Sequence, residues 1–128
     1  MTISYQDITQ WGALDLSRAV HSRQVSCREV MQATLSQVDR LNPQSNAIVS
    51  RVDSNALLAQ ADARDAQLAR GESMGWLHGI PIALKDLVDV AGIPTTCGSP
   101  LLRDHIPAQD ALLTQRLKAA GGIVIGKT

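Results

Sequence analysis

Lys85 ends the apolar run Ile80-Pro81-Ile82-Ala83-Leu84 and is followed at once by Asp86. A run of that kind predicts a strand covered on both faces. Strand alternation sets Ala83, Lys85 and Leu87 on one face, and Ile82, Leu84 and Asp86 on the other. Asp86 is therefore adjacent in sequence but need not neutralise Lys85. An ammonium held at a buried strand end loses hydration, which favours the neutral amine. A neutral amine can accept a proton from a hydroxyl nucleophile. Open α/β sheets also take their ligands at the C-terminal ends of parallel strands. The same residues allow a plainer reading, in which Lys85 snorkels into solvent or pairs with an acid elsewhere.

A second pattern closes the sequence. Gly121-Gly-Ile-Val-Ile-Gly126-Lys127-Thr128 satisfies G-x-x-x-x-G-K-T letter for letter. A phosphate loop of that type follows a strand and wraps the anion with flexible backbone N–H groups. Here a helical segment comes before it, and Ile123-Val124-Ile125 resists the positive φ angles of an anion nest. A buried strand is the expectation, and nucleotide binding is set aside. Cys97 lies in Thr95-Thr96-Cys97-Gly98-Ser99, but no motif brings a histidine to activate it. Thr95, Thr96 and Ser99 read as loop hydrogen-bonders able to line a site. His78 and His105 read as loop histidines, and Trp76 as a residue packed where a loop meets a strand. No His or Cys spacing suits a metal, and no cofactor is expected.

The elements that must hold Lys85 follow from periodicity. Residues 7–21 predict an amphipathic helix with Leu14, Leu16, Ala19 and Val20 inward. Ser26 and Glu29 form a capping box that opens a second helix. Its stripe is Val30, Met31, Leu35, Val38 and Leu41, and Asn42-Pro43 is expected to stop it. A short strand at 47–51 follows, then an Ala-rich helix from about Asp53 to Arg70, closed by Gly71. After the loop 71–79 comes the strand at 80–85, and then a long irregular connection over 91–109. Asp110 is expected to cap a further helix with Leu113, Leu117 and Ala120 inward, before the strand at 123–125. Strand, crossover helix and strand make a βαβ unit, hence an α/β fold on a parallel or mixed sheet. The division is a helical part over about 1–75 and the start of a core sheet over about 76–128.

Composition excludes several classes of function. Twelve basic and twelve acidic residues give no net charge, and two Trp, one Tyr and no Phe offer little for stacking bases. Nucleic acid and anionic membrane are therefore not expected partners. No apolar run approaches the roughly 20 residues of a membrane span. The first residues, Met1 to Asp7, do not read as a secretory signal. Cys27 and Cys97 are then expected to stay reduced in a cytoplasmic protein. The last residues coincide with a strand end, so the chain reads as the N-terminal piece of a larger domain. Exposed strand edges support this, because such edges normally need cover.

His78-Gly-Ile-Pro-Ile-Ala-Leu-Lys-Asp86, Thr95-Thr-Cys-Gly-Ser99, Asp110, Arg116-Leu-Lys-Ala-Ala-Gly121 and Gly126-Lys-Thr128 together resemble the amidase signature family. The resemblance extends over most of the chain. It implies an α/β/α fold with a helix-covered sheet, here as an incomplete piece, and hydrolysis of carboxylic amides by a Ser–cis-Ser–Lys triad through an acyl-enzyme. Lys85 matches the lysine, acting as base through the bridging serine. In the family both serines and the Gly/Ser-rich segment lie downstream of the Gly-Lys-Thr step. Ser99 does not match either, so this stretch alone is expected to be inactive. The implied partner is a small-molecule amide in the full-length parent, with association between copies left open. Small amides, aminated tRNA intermediates and lipid amides all remain substrates consistent with it. The alternative from another class is a non-enzymatic truncated product or interaction module.

Overall fold

In a computed structural model the structure describes residues 8–128. The start of the first expected helix at residue 7, and the Met1–Asp7 stretch, lie outside the described residues.

The chain runs through α1 (Ala13–His21), α2 (Cys27–Ser45), β1 (Ser50–Arg51), α3 (Ser54–Ala69) and β2 (Pro81–Leu84). A short 3-10 turn (Pro100–Leu102), α4 (Leu112–Ala119) and β3 (Ile123–Lys127) follow. The result is a mixed α/β fold. Its sheet has the order β1-β3-β2, with β2 parallel and β1 antiparallel to β3. The parallel pair and the α4 crossover are the expected βαβ unit. The strand expected at 47–51 narrows to two paired residues, Ser50 opposite Lys127 and Arg51 opposite Gly126.

The helices begin where the sequence marks them. Ser26 accepts from the Glu29 N–H at 3.0 Å, and Glu29 reaches back to the Ser26 N–H at 2.8 Å. The Asp65 carboxylate of α3 adds a second cap on α2, accepting from the N–H groups of Cys27 (2.7 Å) and Arg28 (3.1 Å). Asp53 caps α3 through the Ala56 N–H. Gly71 follows its end at φ 78°, a left-handed position that favours glycine.

Four local expectations are corrected. Pro43 does not stop α2, which continues to Ser45 and ends on Asn46 in the left-handed conformation. Residue 43 lies in the last turn of this helix. The Asn42 amide instead braces the chain beyond it, through two bonds to the Ile48 backbone. Leu14 and Leu113 are more than half exposed, because hydroxyl residues take the inward places beside them. Ser17 is buried and donates to the Trp76 carbonyl, and fully buried Thr114 donates to the Asp89 carbonyl. Trp76 itself is exposed rather than packed. Asp110 does not cap α4, whose N-cap is Ala111. It accepts instead from the Ala91 N–H and the Lys118 ammonium.

The main core joins α1, α2 and α3 to Leu77, Ile80, Ile123 and Ile125. On the opposite face of β3, Val124 meets Leu84 and Val90, with Ile82, Val88, Ile93 and Leu117 packed around them. All five residues of β3 are buried, so the expected central strand is there. Cys27 and Cys97 are both free, the first buried and the second exposed. Burial, and then the Asp65 charge beside it, push the Cys27 thiol up to about 12. The native chain should therefore consume one equivalent of an aromatic disulfide reagent at pH 8, at Cys97. Cys97→Ser should abolish the fast phase, and rapid labelling of Cys27 would contradict the packing described.

Candidate active site

β2 is an edge strand, and the face alternation read from the sequence is preserved on it. Leu84 and Asp86 are buried and Ile82 is half-buried, whereas Ala83, Lys85 and Leu87 are exposed. The expectation of cover on both faces is therefore corrected. β2 pairs only with β3, and among the described residues nothing lies over the face that carries Lys85. An apolar sequence shows that a strand favours burial; it does not show that the covering layer lies within the same stretch of chain. The Lys85 side chain has no hydrogen bond or ion pair among the described residues.

The backbone around Lys85 is held firmly. Thr128 donates to the Leu84 carbonyl and accepts from the Asp86 N–H, each at 2.9 Å. The Lys85 carbonyl closes a turn onto the Val88 N–H, and the Cys97 N–H donates to the Asp86 carbonyl. The Asp86 side chain then accepts from the Thr96 N–H at 3.0 Å and, in a short contact, from the Thr96 hydroxyl. The Thr95–Ser99 loop is thus folded back beside the end of β2. Cys97 turns there with φ 52°, and Ser99 caps the 3-10 turn by accepting from the Leu101 N–H. Thr95, Thr96 and Ser99 are all hydrogen-bonded, as expected of them.

Lys127 was missed as a member of this region. It is fully buried. Its ammonium donates to the Val88 carbonyl at 2.5 Å and the Thr95 hydroxyl at 2.8 Å, and lies 3.8 Å from the Asp86 carboxylate. The signal was available: a lysine directly after Ile-Val-Ile-Gly in a central strand must bring its charge inside. The phosphate-loop match fails here on geometry. Lys127 is occupied by protein acceptors, and Gly126 sits in a strand, where an added Cβ would meet the Ser50 carbonyl oxygen at 2.3 Å.

Burial raises the Asp86 carboxyl, but the Thr96 bonds, the Lys127 charge and the Gly98 N–H together bring it below the ordinary carboxylate range. A lowered carboxyl contributes stability that is complete above its unfolded value and lost as the pH falls through the folded one. Urea midpoints should therefore drop between about pH 4 and lower pH. Asp86→Asn should show a shallower drop, and an unchanged slope would rule out this contribution.

His78, read as a loop histidine, is fully buried just before β2. Its Nδ1 accepts from the Met74 N–H, so the ring is neutral and Nε2 donates to the Arg64 carbonyl. Both nitrogens are occupied, and the residue braces the loop. His105 is exposed, and its carbonyl accepts from the Thr95 N–H. A groove of about 540 Å³ is lined in part by Arg51, Asp53, Arg64, Ile93 and Lys118, and does not include Lys85. Arg51 and Lys118 are paired there with Asp39 and Asp110. Among the described residues no group of His, Cys, Asp or Glu could hold a metal, and no helix is long and apolar enough to cross a membrane.

A family profile described as Amidase matches residues 29–128, the stretch that carries β2, the Thr95–Ser99 loop and β3. The chain belongs to the amidase family. The amidase resembles a glutamyl-tRNA(Gln) amidotransferase polypeptide of Acidothermus cellulolyticus, with 40% identity over 95% of this chain and 24% of that protein. It is 41% identical to an indoleacetamide hydrolase of Bradyrhizobium diazoefficiens, over 94% of this chain and 23% of the other. The native peptide amidase of Stenotrophomonas maltophilia superposes with a TM-score of 0.81 at 34% identity, over 91% of this chain and 24% of that one. The chain spans about a quarter of the length of the curated relatives it matches.

Proposed function

We propose that this chain is the N-terminal part of a single amidase domain that hydrolyses carboxylic amide bonds through an acyl-enzyme, with Lys85 as the base. The observation that carries the reading is the division of labour at the end of β2. Asp86 and Lys127 satisfy each other and the loop inside the protein, while Lys85 faces the open side with no acceptor engaged. Its backbone is fixed on both sides by Thr128. A lysine in free water is a poor proton acceptor, so the reading requires later parts of the enzyme to cover this face. Those parts would also supply the two serines: the bridging serine passes the proton to Lys85, and the nucleophile attacks the amide carbon. Backbone N–H groups would hold the oxyanion, and water would release the acid. No cofactor enters the scheme, and residues 1–128 alone are inactive in it.

The names of the two curated relatives, an amidotransferase and an amide hydrolase, share only the amide group, and that sets the substrate class proposed here. A small-molecule amide handled in the cytoplasm, without nucleic acid or membrane as direct ligand, is the working substrate. The test is ammonia release by the intact enzyme from a panel of primary carboxamides. Release that depends on Lys85 supports the reading. A folded enzyme that cleaves esters or nucleotides but no amide would sink it.

A further inference from the structure

Lys127 is the largest side chain fully buried among the described residues. Burying an ammonium is costly unless every donor is used, and an apolar residue of similar length would fill the same space at less cost. Its acceptors are therefore informative. Val88, Thr95 and the Asp86 carboxylate lie on both arms of the loop that leaves β2 and returns beside it. Lys127 itself sits on β3, opposite Leu84 in the parallel ladder. Its neighbour Thr128 bonds the backbone of the residues on either side of Lys85.

We propose that Lys127 is a positioning residue for Lys85: one buried ammonium clamps the outgoing and returning arms of the loop to the end of β3, so that the strand end carrying Lys85 has a single geometry. This rests on the reading of Lys85 as the base. Asp86 is the negative counterpart inside the clamp, held by Thr96 so that it faces Lys127 rather than the open side. The sequence places Lys85 and Asp86 side by side, and the fold gives them to different partners. Lys85 is left free because Asp86 is engaged by Lys127.

The experiment is steady-state amide hydrolysis by the intact enzyme with Lys127→Met, Thr95→Val and Thr95→Ser, each checked for folding by circular dichroism and assayed well below its melting temperature. Misplacing a catalytic group by about 1 Å costs on the order of 100-fold. Lys127→Met should therefore lower kcat by about 10- to 100-fold with KM within about twofold. Thr95→Val should lower kcat less, and Thr95→Ser, which keeps the acceptor, should restore it. A role confined to stability would lower the melting temperature and leave the kcat of folded enzyme unchanged, which overturns the inference. If Lys127→Met does not fold, an unchanged kcat in Thr95→Val overturns it instead. Lys85→Ala measured alongside separates the two ideas. Retained turnover in that variant removes the base assignment itself, whereas lost turnover with a normal folded Lys127→Met removes only the clamp.

Discussion

Lys85→Ala in the intact enzyme should lower kcat by about 1,000-fold or more while KM stays nearly constant, since a positioned base contributes roughly 10²- to 10⁴-fold. A thousandfold loss corresponds to about 4 kcal/mol of transition-state stabilisation, a magnitude that substrate binding alone would not show. The substitution is well suited to the question because of where Lys85 sits. Its side chain is exposed and makes no hydrogen bond or ion pair among the described residues. Truncating such a side chain ordinarily changes stability by no more than about 0.5 kcal/mol. Lost activity would then report on chemistry and not on folding. Lys85→Arg is the sharper companion, because it keeps the charge and most of the length but cannot act as a neutral amine. It should be as inactive as the alanine variant. Substantial activity in the arginine variant would mean that the position supplies charge and no proton acceptor.

The parts of the fold legible in the sequence were those written in local chemistry. Ser26 and Glu29 cap α2 because both side chains can reach the same helix end, and no distant residue is needed for that. Asp53 and Gly71 bracket α3 for the same reason. The alternation along residues 82–87 was also legible, since side-chain direction in a strand is set by the backbone. What local chemistry leaves open is which long-range partner occupies a site. Leu14 and Leu113 looked inward by period, yet Ser17 and Thr114 take those places because carbonyls of Trp76 and Asp89 await them. Pro43 looked like a stop, but a helix tolerates proline in its last turn where the chain beyond is braced by Asn42.

The same distinction governs the site. The importance of Lys85 came from its motif, while its expected burial came from an apolar run that proved to be an edge strand with one open face. Lys127 went the other way: its motif pointed to phosphate, and its burial was the informative property. The two lysines are separated by the pleat. Lys85 falls on the uncovered face of β2, and Lys127 points from β3 into the space enclosed by the loop after β2. Neither assignment requires unusual backbone, only a parallel register that sets Leu84 against Lys127.

That register makes Gly126 the position where a single methyl group should do most damage to the scaffold. A Cβ built there would lie 2.3 Å from the Ser50 carbonyl oxygen and 2.9 Å from the Ile48 Cγ2. The first contact is with backbone, which cannot rotate away. Gly126 pairs with Arg51 on one side and Ala83 on the other, so the strand cannot shift towards β2 without pushing Lys85 with it. Gly126→Ala should therefore destabilise by about 3 kcal/mol, at the upper end of ordinary overpacking, with loss of β1 pairing as the first event. Gly92→Ala is the control. Gly92 has φ 79° and nothing within 4 Å of its added Cβ, so it carries only the conformational cost of about 1 kcal/mol. Thermal inactivation of the intact enzyme should rank Gly126→Ala well below Gly92→Ala, and hydrogen exchange should speed up at Val49 and Val52, whose N–H groups bond to Lys127 and Ile125. If the two variants melt together, the close approach of β1 is not what demands glycine here. If Gly126→Ala instead leaves stability intact and removes a nucleotide-dependent stabilisation, the phosphate-loop reading returns and the clamp around Lys127 must be abandoned.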